Sequence, residues 1–240
     1  MHKESVSLDS YEEMAEYYLN YVDKKPYNAY YERPATLSLL PEVEGKSVVD
    51  AGCAAGWYSD WLLGKGASVT ALDFSPKMIE MTRRRVGDRA KLVCADLNEP
   101  LDFIGDDSTD LVISSLALHY LKDWTLVMRE FHRILKPGGF LVFSVHHPFM
   151  DFTVFQRENY FLTELLEDDW DVNHVKVKVQ FYRRPLNAIM SAVLHAGFIL
   201  EELLEPMPTE EFKQALPQSY EKLLRKPQFL FIRARKASEH

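Results

Sequence analysis

From Lys46 onward the chain alternates short apolar runs with longer stretches whose apolar residues recur every three or four positions. The runs predict strands near 47–51, 68–73, 90–95, 109–115 and 139–145, and the stretches between them predict helices near 57–64, 76–86 and 123–135. Alternating β and α elements with continuous apolar strands such as LVISSLAL imply a parallel sheet covered on both faces. In LKPGGFLVFSV a helix end, a Pro-Gly-Gly turn and the next strand follow one another directly.

The flanks are patterned differently. Ser10 and Glu13 form a capping-box signature for a helix running to about Val22, with Tyr11, Ala15, Tyr18 and Val22 on one face. PYNAYYERPATLSLLPEVEGK holds a second helix, with Pro34 in its first turn and Pro41 as its stop. After His147 the rhythm breaks: residues 148–174 are aromatic and acidic without a clear period. HVKVKVQFY then alternates strictly, with Val175, Val177, Val179 and Phe181 on one side, as either a substrate wall or a plain edge strand. RRPLNAIMSAVLHAGF reads as a helix opened by Pro185 and closed by Gly197, and strands near 198–204 and 228–235 make an antiparallel hairpin edge. One domain in four parts is expected: a cap over 1–45, an α/β core over 46–147, an insertion or lid over 148–184, and a closing helix and hairpin over 185–240.

Composition narrows the partners. Of 240 residues 47% are hydrophobic and 27% charged, enough for a proper core. The net charge is -8, and Arg83, Arg84 and Arg85 read as a solvated helix face, so nucleic acid is disfavoured as a partner. MHKESVSLDS lacks a signal-peptide core and no run approaches the ~18 apolar residues of a membrane span, so a cytoplasmic protein without membrane contact is expected. Cys53 and Cys94 read as small buried thiols, too few for a disulfide framework or a zinc site.

The chemistry concentrates in VVDAGCAAGWYSDWL, where an apolar strand runs through a small-residue turn into a helix. Asp50, Gly52, Ala54 and Gly56 fall at the end of the first strand, where small residues let a ligand approach the backbone. Asp73 ends the second strand, placed to accept ribose hydroxyls, and Asp96 ends the third, within reach of an adenine amine. Three acids on adjacent strand tips describe a nucleoside pocket. A dinucleotide fingerprint starting at Gly52 needs glycine at 54 and 57, where Ala54 and Trp57 stand, and Asp50 would repel a diphosphate. This suits a cationic ligand better and leaves a nicotinamide-dependent oxidoreductase as the lesser alternative.

The series DAGCAAGWYSDWL, ALDFSPKMIEMTR, ADL, SSLALHYL and FHRILKPGGFLVFSVHHP resembles the class I S-adenosylmethionine-dependent methyltransferases, and among them the methyltransferase type 11 family, over roughly residues 46–147. The resemblance implies a doubly wound, Rossmann-like, mostly parallel seven-stranded sheet with an antiparallel C-terminal hairpin and an N-terminal helical cap, and S-adenosyl-L-methionine as cofactor. It assigns Asp50, Gly52, Cys53, Ala54 and Gly56 to the methionine part and Asp73 to the ribose. Phe74 and Met78 would flank the adenine, Asp96 and Leu97 meet its edge, and Ser114 and Leu116 lie beside the methionyl portion. Ala54 stands where the family usually has glycine, so a turn with ordinary dihedrals is expected there. Arg33 in the cap pairs with the cofactor carboxylate on this reading, while Tyr18, Tyr27 or Tyr31 walls the acceptor.

Methyl transfer draws its driving force from the cofactor, so a base matters only when the acceptor has a proton to lose. His146 and His147 at the fifth strand tip and His119 after the fourth are the candidates, and strand alternation lets only one of the adjacent pair enter the site. Ser114 and Ser115 occupy the place where metal-dependent relatives offer a carboxylate, so no metal is expected. The expected function is methyl transfer to an oxygen, nitrogen or carbon atom of a small molecule, with a non-catalytic cofactor-binding regulatory domain as a further alternative.

Overall fold

The computed structural model describes residues 22–172 and 175–238. Seven strands, β1 (Ser47–Ala51), β2 (Ser68–Asp73), β3 (Lys91–Cys94), β4 (Thr109–Ser115), β5 (Leu135–His146), β8 (Phe198–Leu204) and β9 (Phe229–Lys236), form one sheet in the order β3-β2-β1-β4-β5-β9-β8. The first five pair in parallel, β9 runs antiparallel to β5, and β8 runs antiparallel to β9. The chain builds outward from β1 through β2 to β3 and then returns to the other side of β1 with β4. That reversal opens a crevice at the carboxyl ends of β1 and β4.

Alternation along the strands fills both faces. Val49, Val112, Leu141 and Phe143 pack on one side with Phe131 of α4 (Thr125–Ile134) and Ile189 of α6 (Leu186–His195). Val48, Val69, Leu111 and Val142 pack on the other with Leu62 of α2 (Trp57–Gly64) and Leu39 of α1 (Arg33–Leu39). In α3 (Pro76–Val86) the Ser75 hydroxyl caps the Met78 N–H and Pro76 sits in the first turn, as the sequence pattern expects.

The N-terminal helix departs from expectation. It is already helical at residue 26 and passes through a wide π-turn, Asn28–Glu32, before α1. Pro34 stands in the first turn of α1, as expected, but the chain enters that turn already helical. Lacking an N–H, Pro34 leaves the Tyr30 carbonyl without its usual donor. The turn widens so that the Arg33 N–H reaches the Asn28 carbonyl, and the Thr209 hydroxyl donates to the Tyr30 oxygen at 2.9 Å. The expected helix from Ser10, with Tyr11, Ala15 and Tyr18, lies outside the described residues.

The region after His147 is more ordered than its sequence suggests. It forms α5 (Pro148–Val154) and then β6 (Glu164–Val172), which pairs antiparallel with β7 (Val175–Arg183) in a separate two-stranded sheet. The HVKVKVQFY strand is therefore no edge of the main sheet. Val177, Val179 and Phe181, with Leu166 from β6, pack onto Ala55, Met78, Met81 and Tyr120. Arg183 is sealed at the base of this hairpin, donating to Glu164 Oε1 at 2.7 Å and to the carbonyls of Asn159, Tyr160 and Leu162. Bonds from one buried guanidinium to a half-buried carboxylate and three carbonyls tie the base of the hairpin to the loop before it. Two short helices, α7 (Glu210–Ala215) and α8 (Pro217–Leu223), precede β9 and were not evident from the sequence pattern, which Pro217 interrupts.

Candidate active site

A cavity of about 540 Å³ occupies the crevice at the strand ends. Its floor at one end is the turn after β1. The N–H groups of Gly52 and Cys53 both donate to the Leu72 carbonyl, at 2.8 and 2.9 Å, which stitches this turn to the end of β2. Gly52 has φ +82°, and a Cβ there would lie 2.4 Å from the Ala117 side chain, so the position admits only glycine. Ala54 has φ +47°, correcting the expectation of ordinary dihedrals. The left-handed conformation costs an L-residue roughly 1–2 kcal/mol. Two bonds hold Ala54 in it: its N–H donates to Asp73 Oδ2 at 2.9 Å, and its carbonyl accepts from the Thr82 hydroxyl at 2.7 Å. Asp73 Oδ1 meanwhile accepts the Ser75 N–H at 2.9 Å.

Of the residues assigned to the cofactor, Arg33, Gly52, Cys53, Ala54, Asp73, Phe74, Asp96, Leu97 and Leu116 line this cavity. Asp50, Gly56, Met78 and Ser114 do not. Asp50 is sealed beneath the turn, where it accepts the Ser59 hydroxyl at 2.6 Å and so anchors the first turn of α2. Burial pushes its carboxyl up to about 7, against the Ser59 bonds, and the nearby Asp73 charge adds to the rise. Gly56 begins α2 with φ +75°, its Cα facing Thr82; Met78 is packed under the hairpin; the Ser114 hydroxyl donates to the Ala51 carbonyl at 2.8 Å. Cys53 is buried, which holds its thiol well above the usual range, whereas Cys94 is exposed rather than buried. Within the Arg83–Arg85 run, Arg85 turns inward to Asp23 at 2.9 Å.

The N-terminal segment supplies the neighbouring wall. Arg33 is buried with its guanidinium 4.2 Å from the Trp57 ring centre, donating to the Asp23 and Val22 carbonyls, and burial lowers its pKa. Tyr27 lines the cavity, while Tyr31 packs away from it against Phe212 and Phe229; Tyr18 lies outside the described residues. Glu32 had no sequence signal. Its buried carboxylate accepts hydroxyls from Thr36, Ser115 and Tyr58, each at 2.7 Å, and from Ser144 at 2.8 Å. Charge-assisted bonds of about 1.5–3 kcal/mol each offset the several kcal/mol of desolvation. Ser144 also accepts the N–H of Leu116, itself at φ +49°, so Glu32 steadies the β4 end of the cavity.

The far end is different in kind. His119, His146 and Asp151 all line it. His146 stacks on His119 with ring centres 4.2 Å apart, and stands perpendicular to Phe181 at 4.6 Å. His146 Nδ1 lies 3.5 Å from Asp151 Oδ1. Among the described residues neither of these atoms, nor either nitrogen of His119, nor Arg184 Nε, has a hydrogen-bond partner, although all are buried. Each unsatisfied group of this kind costs about 1–3 kcal/mol, and such a concentration marks a place where a polar partner belongs. Burial, with His146 and Arg184 nearby, holds His119 well below its ordinary pKa; burial also pushes Arg184 down to about 10. His147 points elsewhere: it caps α5 through the Phe149 N–H and meets Glu205 at 2.6 Å. Asp151 was missed in the sequence, yet a signal existed. Pro148 directly after the histidine pair opens a helix whose first turn carries residue 151 back to the strand tip.

Residues 49–143 match the family model described as a methyltransferase domain. An S-adenosylmethionine-dependent methyltransferase of known structure from Mesorhizobium loti is 32% identical, with 87% of this chain and 99% of that one covered at a TM-score of 0.74. A counterpart from Listeria monocytogenes is 26% identical over 86% of this chain and 97% of its own, with a TM-score of 0.75. This chain belongs to the S-adenosylmethionine-dependent methyltransferases. It is an enzyme with S-adenosylmethionine as its cofactor, and the nicotinamide reading falls away. Phosphoethanolamine N-methyltransferase 1 of Arabidopsis thaliana is 36% identical over 47% of this chain, which spans only 24% of that relative.

Two outcomes follow from this geometry. A carboxyl raised in the native state favours the protonated form, so Asp50 erodes stability as pH rises from its unfolded value of 3.8 to about 7 and adds nothing further above that. Asp50→Asn removes this slope, and its unfolding free energy relative to wild type should climb across that window by a few kcal/mol, on the order of 1.4 per pH unit. Urea titrations at a series of pH values check it; a constant difference contradicts it. Ala54→Gly, relieving the left-handed strain, should raise the unfolding free energy by about 1 kcal/mol by the same measurement.

Proposed function

We propose that this enzyme methylates an oxygen, nitrogen or carbon atom of a small molecule held beside His146. The observation that carries the reading is the continuity of one cavity, running from Gly52, Asp73 and Asp96 to His146, Asp151 and Phe181. Its volume of about 540 Å³ is that of a small-ligand site, and the β6–β7 hairpin stands over it as a wall. The net charge of -8 offers a nucleic acid little attraction. We place the enzyme in the cytoplasm; among the described residues no helix is long and apolar enough to cross a membrane.

The residues fit the cofactor: a turn whose bare Gly52 backbone lines the cavity, and a buried carboxylate at the next strand tip. On this reading Asp73 takes the ribose hydroxyls, Phe74 lies against the adenine, and Asp96 with Leu97 meets its edge. Gly52, Cys53, Ala54 and Leu116 face the methionine part and Arg33 its carboxylate. When bound, S-adenosylmethionine supplies an activated methyl carbon and takes the released bonding pair on sulfur. The protein aligns the acceptor with that carbon, an effect worth on the order of 7–11 kcal/mol. His146, the histidine of the adjacent pair that lines the cavity, receives the acceptor's proton where there is one to lose.

Calorimetry tests the cofactor half. S-adenosylhomocysteine should bind saturably, and Asp73→Asn should weaken it by about ten- to a hundredfold, because charge-assisted bonds to the ribose are lost. Unchanged affinity in a folded variant removes Asp73 from this role. Incubating the enzyme with methyl-labelled cofactor and a fractionated cell extract tests the acceptor half: label should appear in the small-molecule fraction, and label confined to protein or RNA overturns it.

A further inference from the structure

The buried, unpartnered polar atoms of the described residues gather at one point. His119 contributes both ring nitrogens, His146 its Nδ1, Asp151 its Oδ1 and Arg184 its Nε, while Arg233 Nε lies apart. The first three side chains line the main cavity, and all four also surround a small void of about 10 Å³ behind the histidine pair. Their orientation is fixed by packing. The His146 ring is stacked on His119 with centres 4.2 Å apart, lies near-parallel to Phe229 at 5.9 Å, and stands perpendicular to Phe181 at 4.6 Å. Asp151 is carried to within 3.5 Å of His146 Nδ1 by the first turn of α5, its own N–H donating to the His147 carbonyl. Because Nδ1 is the sealed nitrogen, Nε2 is the one left to the cavity.

We infer that Asp151 is a positioning residue for His146, and that His146 Nε2 takes an acidic O–H or N–H proton from an uncharged, flat acceptor ring. This rests on the acceptor reading proposed above. A carboxylate facing Nδ1 keeps the imidazole proton on that nitrogen and leaves the Nε2 lone pair outward, and it stabilises the imidazolium once formed. A gap of 3.5 Å is longer than a hydrogen bond, as such pairs often are before the substrate arrives. The acceptor's bond to hydrogen breaks with its electron pair staying on the heteroatom, which then takes the methyl group, and the imidazolium returns its proton to water.

The charge of the walls selects the ring. Among the described residues the lysines and arginines of the cavity are Lys25, which lies over Trp170, and Arg33, which is bound to Asp23; both come from the N-terminal segment. Around His146 the titratable groups of the described residues are Asp151 on α5, His119 after β4, Tyr182 on β7 and Arg184 after it, and Tyr182 and Arg184 open only to the small void. A phosphate or carboxylate on the acceptor would meet Asp151 with no lysine or arginine of the described residues reaching the main cavity at that end. Phe155, Phe181 and Phe229 instead offer faces and edges to a flat apolar body.

Two measurements that involve no methyl transfer test this. In the protein without ligands, nitrogen-15 spectra of the histidine rings should show His146 with its proton on Nδ1, and Asp151→Asn should move it to Nε2. Protonation of Nε2 in the wild type overturns the inference whatever the variant does. The second probe is 4-nitrophenol, whose colour reports its ionisation, used in the presence of S-adenosylhomocysteine below the pH at which the free dye ionises. The wild type should bind it as the coloured anion, Asp151→Asn should bind it roughly ten- to a hundredfold more weakly and uncoloured, and 4-nitrobenzoate should not compete. Absence of binding, binding of the neutral dye by the wild type, or equal binding of 4-nitrobenzoate contradicts the inference. Saturable binding of S-adenosylhomocysteine in the same samples shows that such a failure belongs to the acceptor chemistry and not to the cofactor site.

Discussion

The Asp73 carboxylate is the constraint on which the β1–β2 end of the cavity depends. One oxygen holds the Ala54 N–H and the other the Ser75 N–H, so a single side chain at the end of β2 fixes both its own βα turn and the preceding one. The neighbouring turn is thereby kept in a left-handed conformation that its alanine would otherwise avoid. A carboxylate held in this way is oriented before a ligand arrives, which lowers the ordering cost of binding. Asp50, which a reading by family pattern places beside it, instead works beneath the turn as an anchor for α2.

The two ends of the cavity are built on opposite terms. Near the β4 tip, Glu32 is surrounded by four hydroxyl donors, and the Leu116 N–H is held through Ser144. Among the described residues no buried side-chain polar atom there lacks a partner. At the other end His119, His146 and Asp151 carry unsatisfied atoms in a sealed aromatic setting. A low local dielectric makes such groups costly when alone and strong when paired. On the proposed reading the first arrangement faces the cofactor, whose shape is constant, and the second faces an acceptor whose polar group completes it.

Much of this was legible because the α/β core obeys local rules. Continuous apolar strands, Ser75 with Pro76, and the Gly52 turn each state their structure within a few residues, and the acids at the ends of β2 and β3 follow from the topology. What escaped depends on partners distant in sequence. Ala54 adopts φ +47° because Asp73 and Thr82 hold it, and alanine's own preferences point the other way. The helix through Pro34 needs Thr209 to satisfy the Tyr30 carbonyl. β6 was hidden because its outward residues are mostly charged while its inward row mixes Glu164, Leu166, Asp168 and Trp170, which blurs the two-residue period. Glu32 could not be read at all, since three of its four donors lie on α2, β4 and β5.

The most direct test of the account is a double-mutant cycle between Ala54 and Asp73, measured as unfolding free energy without ligand. If Asp73 holds residue 54 against its preference, replacing Ala54 by glycine removes the strain to be held, and Asp73→Asn should then cost less than it does in the wild-type background, by about 0.5–3 kcal/mol. Additive effects, with Asp73→Asn equally costly in both backgrounds, would show that the carboxylate does not set the turn, and the central claim would fail.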